Sequence, residues 1–131
     1  MSVEKRVLAF LQLAEEDVNA AELLLAGKNR YAAYHLQQAT EKLIKAVLLA
    51  RRGEAGVEHR IETLLERLPG EDSWRVRLSP FEIYSAYATT FRYPTPGGRI
   101  PQDPGEEDVR RDALALRGLL AAARSELFPI P

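Results

Sequence analysis

At 131 residues, with a net charge of −1 and no cysteine, the chain is long enough to bury one core as a single domain, 1–131, without staples. It has no global positive field to hold a nucleic-acid polyanion, and the missing cysteine removes disulfides, thiolate metal sites and thiol nucleophiles together. No run approaches the ~18 uncharged apolar residues that a membrane span needs, and Met1-Ser2-Val3-Glu4-Lys5-Arg6 lacks a leader's apolar core, so a cytoplasmic protein is expected.

From Val3 to Ala26 the positions Val7, Leu11, Ala14, Val18, Ala21 and Leu25 alternate steps of four and three, which predicts a helix. Ser2 is placed to cap it, and Gly27 to end it in a left-handed conformation. After Lys28, Asn29 is available as the next N-cap. The second helix is expected over about Arg30 to Arg52, with the stripe Ala32, Leu36, Ala39, Leu43, Ala46 and Ala50, closed by Gly53. So short a turn forces the two helices to lie antiparallel.

A short helical pattern follows with Ile61, Leu64, Leu65 and Leu68, stopped by Pro69-Gly70. The stretch Asp72 to Leu78, around Trp74, is ambiguous and compatible with one helical turn. Ser79-Pro80-Phe81-Glu82 has the form of a capping box with proline at the first helical position. It predicts a helix with Ile83, Tyr87 and Thr90 on one face, ending near Arg92-Tyr93 because Pro94 disfavours a helical neighbour. Thr95 to Gln102 is a breaker-rich loop. Asp103-Pro104-Gly105-Glu106 opens the last helix, with the stripe Val109, Ala113, Leu116, Leu120, Ala123 and Leu127, before the tail Phe128-Pro129-Ile130-Pro131. No period-two pattern competes. The fold expected is all-α: an up-down-up-down bundle of four main helices plus a short extra helix.

Most enzyme chemistry finds no foothold. Gly97-Gly98 lies between prolines with no strand before it, unlike a phosphate-cradling loop. Neither His35 nor His59 has the histidine or glutamate spacing of a helical metal pair, so no metal or cofactor is expected. Glu106-Glu107-Asp108 is accounted for as favourable charge at a helix N-terminus. Two constellations remain. His35, Gln38, Lys42 and Lys45 form a polar row on the second helix; all four can donate hydrogen bonds to phosphate or a base edge. Spacing alone favours a solvated face, with Glu41–Lys45 as an i,i+4 ion pair. Arg92-Tyr93-Pro94 puts an arginine and an aromatic at the mouth of a long loop, where Tyr93 either faces a ligand or packs beneath the loop.

Tyr34-His35-Leu36-Gln37-Gln38-Ala39, followed by Glu41-Lys42 and Lys45-Ala46, resembles the signature helix of the HEPN (higher eukaryotes and prokaryotes nucleotide-binding) domain. His59 ahead of Ile61 and Leu64-Leu65, then Arg92-Tyr93-Pro94, continue the likeness in order across nearly the whole chain. The resemblance implies a helical bundle that forms homodimers and is often paired with a minimal nucleotidyltransferase. Some members of that family are metal-independent ribonucleases or toxins with a late Arg-x4-6-His motif; others lack it and serve as binding or accessory subunits.

No histidine follows Arg92 or Arg99 here. Arg30 with His35 and Arg52 with His59 have the motif's spacing, but in the wrong part of the domain. The resemblance therefore implies a non-catalytic partner of a minimal nucleotidyltransferase in a toxin–antitoxin-like pair, either nucleotide-binding or accessory. Gln38, Lys42, Lys45, Arg92 and Tyr93 are its expected ligand or partner contacts. The alternatives are a ribonuclease toxin, with RNA as substrate and Arg30, His35, Arg52 and His59 as its residues, and a purely structural dimerisation module.

Overall fold

A computed structural model of the chain describes residues 2–128; the tail residues Pro129, Ile130 and Pro131 lie outside them. The described residues are helical or irregular, without a strand: α1 (Val3–Leu24), α2 (Asn29–Arg52), α3 (Ile61–Glu66), α4 (Ser73–Leu78), a 3₁₀ run (Ser79–Ala88) with a further turn (Thr90–Arg92), and α5 (Glu106–Leu127). No helix among them is long and apolar enough to cross a membrane.

Interhelical side-chain bonds fix the directions. Arg124 of α5 meets Glu15 of α1 at 2.6 Å, while the earlier Arg117 meets the later Asn19 at 2.7 Å, so these two helices run antiparallel. Tyr84 hydrogen-bonds Asp112 near the start of α5, and Arg77 reaches Glu126 near its end at 2.9 Å. The α4–3₁₀ segment is therefore antiparallel to α5 as well. The result is the expected up-down-up-down bundle. Burial pushes the Tyr84 phenol far above its usual pKa and the Asp112 carboxylate adds to this, so Tyr84 is a fixed donor to that acid.

α2 is the axis of the bundle. It packs against α1, α3, α4, the 3₁₀ run and α5, and its buried positions extend well beyond the predicted stripe to Ala33, Ile44, Val47, Leu48 and Leu49. A helix covered on nearly all sides must bury whatever polar groups it carries. Gln37, Thr40, Glu41 and Lys45 are each 7% exposed or less. Thr40 satisfies its hydroxyl locally, donating to the Leu36 carbonyl at 2.8 Å; the other three define the site described below. Ala50, counted on the predicted stripe, is exposed.

Of the expectations at the helix ends, three are corrected and two hold. Ser2 does cap α1, accepting from the Lys5 N–H at 3.2 Å, but the helix stops at Leu24. Leu25 turns into extended backbone while staying 8% exposed, so the positive φ of 73° falls on Ala26 and not on Gly27. Asn29 is the first residue of α2 and not its cap; its amide donates across the bundle to the Pro104 carbonyl at 3.4 Å. Gly53 does close α2, at φ 80°, a conformation that favours glycine.

The largest difference lies at Ser79-Pro80. Asp72 caps α4 through the Trp74 N–H, so the doubtful stretch before Ser79 is a true helix, and Ser79 donates to the Val76 carbonyl at 3.0 Å instead of opening a new cap. Pro80 has no N–H and its ring obstructs the carbonyl four residues back. The chain tightens into 3₁₀ winding, where residues three apart align. Phe81, Tyr84 and Tyr87 therefore share the inward face, with centroids 6.3 and 6.0 Å apart. Ile83, expected inside on an α-helical period, is 65% exposed, and Thr90 is exposed too.

Candidate functional site

The polar row of α2 does not present one face. Successive residues on an α-helix turn by about 100°, so His35 and Lys42 lie at one edge of the row while Gln38 and Lys45 lie at the other, beside Tyr34 and Glu41. Different neighbours take the two edges. On the first, Asp17 of α1 receives both His35 Nδ1 at 3.0 Å and Lys42 Nζ at 2.5 Å. On the second, the Glu41 carboxylate binds Lys45 Nζ at 3.1 Å and His59 Nδ1 at 2.8 Å through one oxygen, and Gln37 Nε2 at 3.2 Å through the other. The expected Glu41–Lys45 pair forms, but as a buried pair with both side chains 9% exposed, not as a solvated one. Lys42 and Lys45 are each held by a carboxylate.

Gln37 also donates to the His59 main-chain carbonyl at 3.3 Å and accepts from Gln38 Nε2 at 2.6 Å. The loop leading into α3 is thus pinned to α2 by both the side chain and the backbone of His59. The imidazole itself is 76% exposed. Because an ionised carboxylate can only accept, Nδ1–H faces Glu41, and in the neutral ring the lone pair sits on Nε2.

Next to this network lies a cavity of about 280 Å³ lined by residues from three segments: Tyr34, Gln38 and Glu41 of α2; His59 and Arg60 of the following loop; and Ser85, Ala88, Thr89 and Arg92 of the 3₁₀ turns. It adjoins a wider groove of about 730 Å³ that shares Arg60, Ser85 and Thr89. The Arg92 guanidinium lies 4.9 Å from the centre of the Tyr34 ring and, among the described residues, has no carboxylate partner. Arg60 pairs with Glu62 at 3.3 Å in an exposed contact, which contributes little. Ser85 donates to Glu62 at 2.8 Å and accepts from the Ile61 N–H at 3.3 Å, tying the 3₁₀ run to the start of α3. Burial raises the Glu62 pKa, but hydrogen bonds from Ser85, its own N–H and Arg60 outweigh that and leave it below the ordinary value.

Of the predicted contacts, Gln38 and Arg92 share this cavity, and Lys42 and Lys45 do not line it. Tyr93 is 65% exposed and lines a neighbouring cavity of about 250 Å³ with Arg30, Tyr31 and Arg92. Within one chain the two Arg–His spacings do not assemble. Arg30 binds Asp103 at 3.0 Å and points about 140° around α2 from His35. Arg52 holds the Arg67 carbonyl at 3.2 Å, about 16 Å along α2 from the Glu41 that anchors His59. Among the described residues, no group of three or more His, Asp or Glu could hold a metal ion.

Sequence reasoning missed Tyr34, Glu41, Arg60 and Ser85. Tyr34, Gln38 and Glu41 recur at i, i+4 and i+7, a second stripe that periodicity could have found. Arg60 and Ser85 carry no such signal, since only chain reversal brings them to α2.

The family described as HEPN domain matches residues 7–124. A candidate toxin of Methanocaldococcus jannaschii is 33% identical over 116 residues, covering 79% of this chain and 74% of its own. No solved structure gives a significant match.

Proposed function

Because the chain belongs to the HEPN domain family, we propose that it is a non-catalytic, nucleotide-binding subunit of a toxin–antitoxin-like pair, working as a homodimer with a minimal nucleotidyltransferase. Its relative of M. jannaschii, described as a candidate toxin, supports the toxin–antitoxin setting. The observation that carries the binding site is Arg92. An arginine with no carboxylate partner among the described residues, its guanidinium 4.9 Å from the centre of the Tyr34 ring at a cavity also lined by Arg60 and Gln38, suits a phosphate, because a guanidinium offers forked donors to anionic oxygens.

Calorimetric titration with ATP and GTP tests this directly. Binding is expected, and Arg92→Ala should weaken it about tenfold or more, as the loss of a charge-assisted contact. Arg92 is exposed and outside the core, so the variant should keep its melting temperature. Absence of heat with any nucleotide, with or without the partner subunit, overturns the reading.

A second reading has one observation in its favour. His59 is an exposed imidazole oriented by a buried carboxylate and shares its cavity with two arginines, the arrangement of an oriented general base beside phosphate-binding cations. A metal-independent ribonuclease built on it would cut RNA under chelation, and His59→Ala would abolish the cutting. Intact RNA after incubation with the wild-type protein removes that reading.

A further inference from the structure

The hydrogen-bond relay on α2 also fixes the orientation of an amide at the cavity. The relay begins at Glu41, whose ionised carboxylate can only accept. Gln37 must therefore turn its Nε2 toward Glu41 Oε1, and the main-chain carbonyl of His59, a second pure acceptor at 3.3 Å, demands the same orientation. With Nε2 committed, Gln37 offers Oε1 to its neighbour. Gln38 must then donate, and does so at 2.6 Å. A flip of the Gln38 amide would set two carbonyl oxygens against each other at that distance. The orientation of a half-buried amide is thus dictated by a buried acid two links away.

The consequence is directional. Gln38 Nε2 is turned toward Gln37, and Gln38 Oε1 makes no hydrogen bond among the described residues, while its side chain lines the cavity. The same Glu41 fixes His59, taking its Nδ1–H at 2.8 Å, so that whenever the ring is neutral its Nε2 is an acceptor. One carboxylate thereby orients the polar ends of two residues that line one cavity, Gln38 and His59, with Arg60 and Arg92 alongside.

We propose that this cavity selects a nucleotide whose base carries an exocyclic amino group, adenine over hypoxanthine and cytosine over uracil. The amino group's two N–H bonds match the two acceptors, whereas an oxo group in the same place would face them as a third acceptor. This rests on the nucleotide-binding reading above and adds to it the class of base. A site whose buried polar groups are fixed in one orientation discriminates through the pairing that it leaves unmade.

The test uses two matched pairs of nucleoside monophosphates on the wild-type protein: AMP against IMP, and CMP against UMP, each differing in an amino or an oxo group. The amino member of each pair should bind about tenfold more tightly, the scale of one or two lost hydrogen bonds. Gln38→Ala should bring AMP down to the level of IMP. Gln37→Met should free the Gln38 amide to turn and raise IMP toward AMP; should that buried variant fail to fold, the wild-type ratios and Gln38→Ala decide. Equal affinities within both pairs overturn the selection while leaving nucleotide binding in place. Absence of binding by all four overturns the nucleotide reading and this inference with it.

Discussion

Glu41→Leu should destabilise the protein by about 3–5 kcal/mol, because it leaves the Lys45 ammonium buried without a counter-charge. Lys45 has a side chain only 9% exposed, and Glu41 Oε2 is its one hydrogen-bond acceptor among the described residues. The same substitution removes the acceptor of the His59 ring and one of the two acceptors of Gln37 Nε2, which keeps the His59 carbonyl. In a domain of this size the melting temperature should fall by roughly 10 °C or more.

The double variant Glu41→Leu, Lys45→Met should recover most of that loss, since a well-packed apolar pair can replace a buried ion pair at little net cost. Thermal or urea denaturation of the two single variants and the double variant closes a cycle that isolates the interaction. A cost below about 1 kcal/mol for Glu41→Leu would mean that Lys45 reaches water, and the account of a buried anchor would fail. The same variant should also lose any discrimination between amino and oxo bases, which links the stability of α2 to the chemistry of the cavity.

Trp74→Ala should cost about 3–5 kcal/mol, the range for deleting a large buried aromatic. Trp74 is fully buried, on a six-residue helix that packs against α2, α3 and the 3₁₀ run, so the void it leaves lies where four segments meet. The contrast with Trp74→Phe is informative. The indole Nε1–H is buried with no hydrogen-bond partner among the described residues, and removing an unpaired donor forfeits no bond and relieves a desolvation cost. Phenylalanine also retains an aromatic face for the Arg77 guanidinium, which lies 4.5 Å from the indole ring. The Phe variant should therefore lose less than half of what the Ala variant loses in denaturant titrations. Equal losses would show that the indole N–H is satisfied.

Where sequence reasoning worked, a periodic signal and a structural period coincided. Val7 to Ala21 on α1 and Val109 to Ala123 on α5 are buried at the predicted positions, because an amphipathic stripe needs only one covered face. It failed where winding or cover changed. The 3₁₀ run reads Phe81, Tyr84 and Tyr87 on a period of three, and the α-helical reading placed Ile83 inside. The obstruction at Pro80 was visible in the sequence. It was read as a helix start, because Ser79 and Glu82 also fit a capping box, and only the arrival of α4 at Leu78 shows that the chain was already helical there.

The sequence by itself determined the all-α class, the order of the segments, the family and the residue types available for a site. Each of these follows from local spacing and identity. The tertiary structure alone decided which partners those residues meet. The row His35, Gln38, Lys42 and Lys45 is continuous in sequence but is divided between Asp17, eighteen residues before it begins, and Glu41 within it. Two lysines expected to meet a ligand became internal ion pairs, and Gln38 and Arg92, 54 positions apart in the sequence, became neighbours on one cavity. A helical wheel gives direction but not company: a side chain's hydrogen-bond partner is set by which element packs on that side, and this depends on chain reversals that no local pattern encodes.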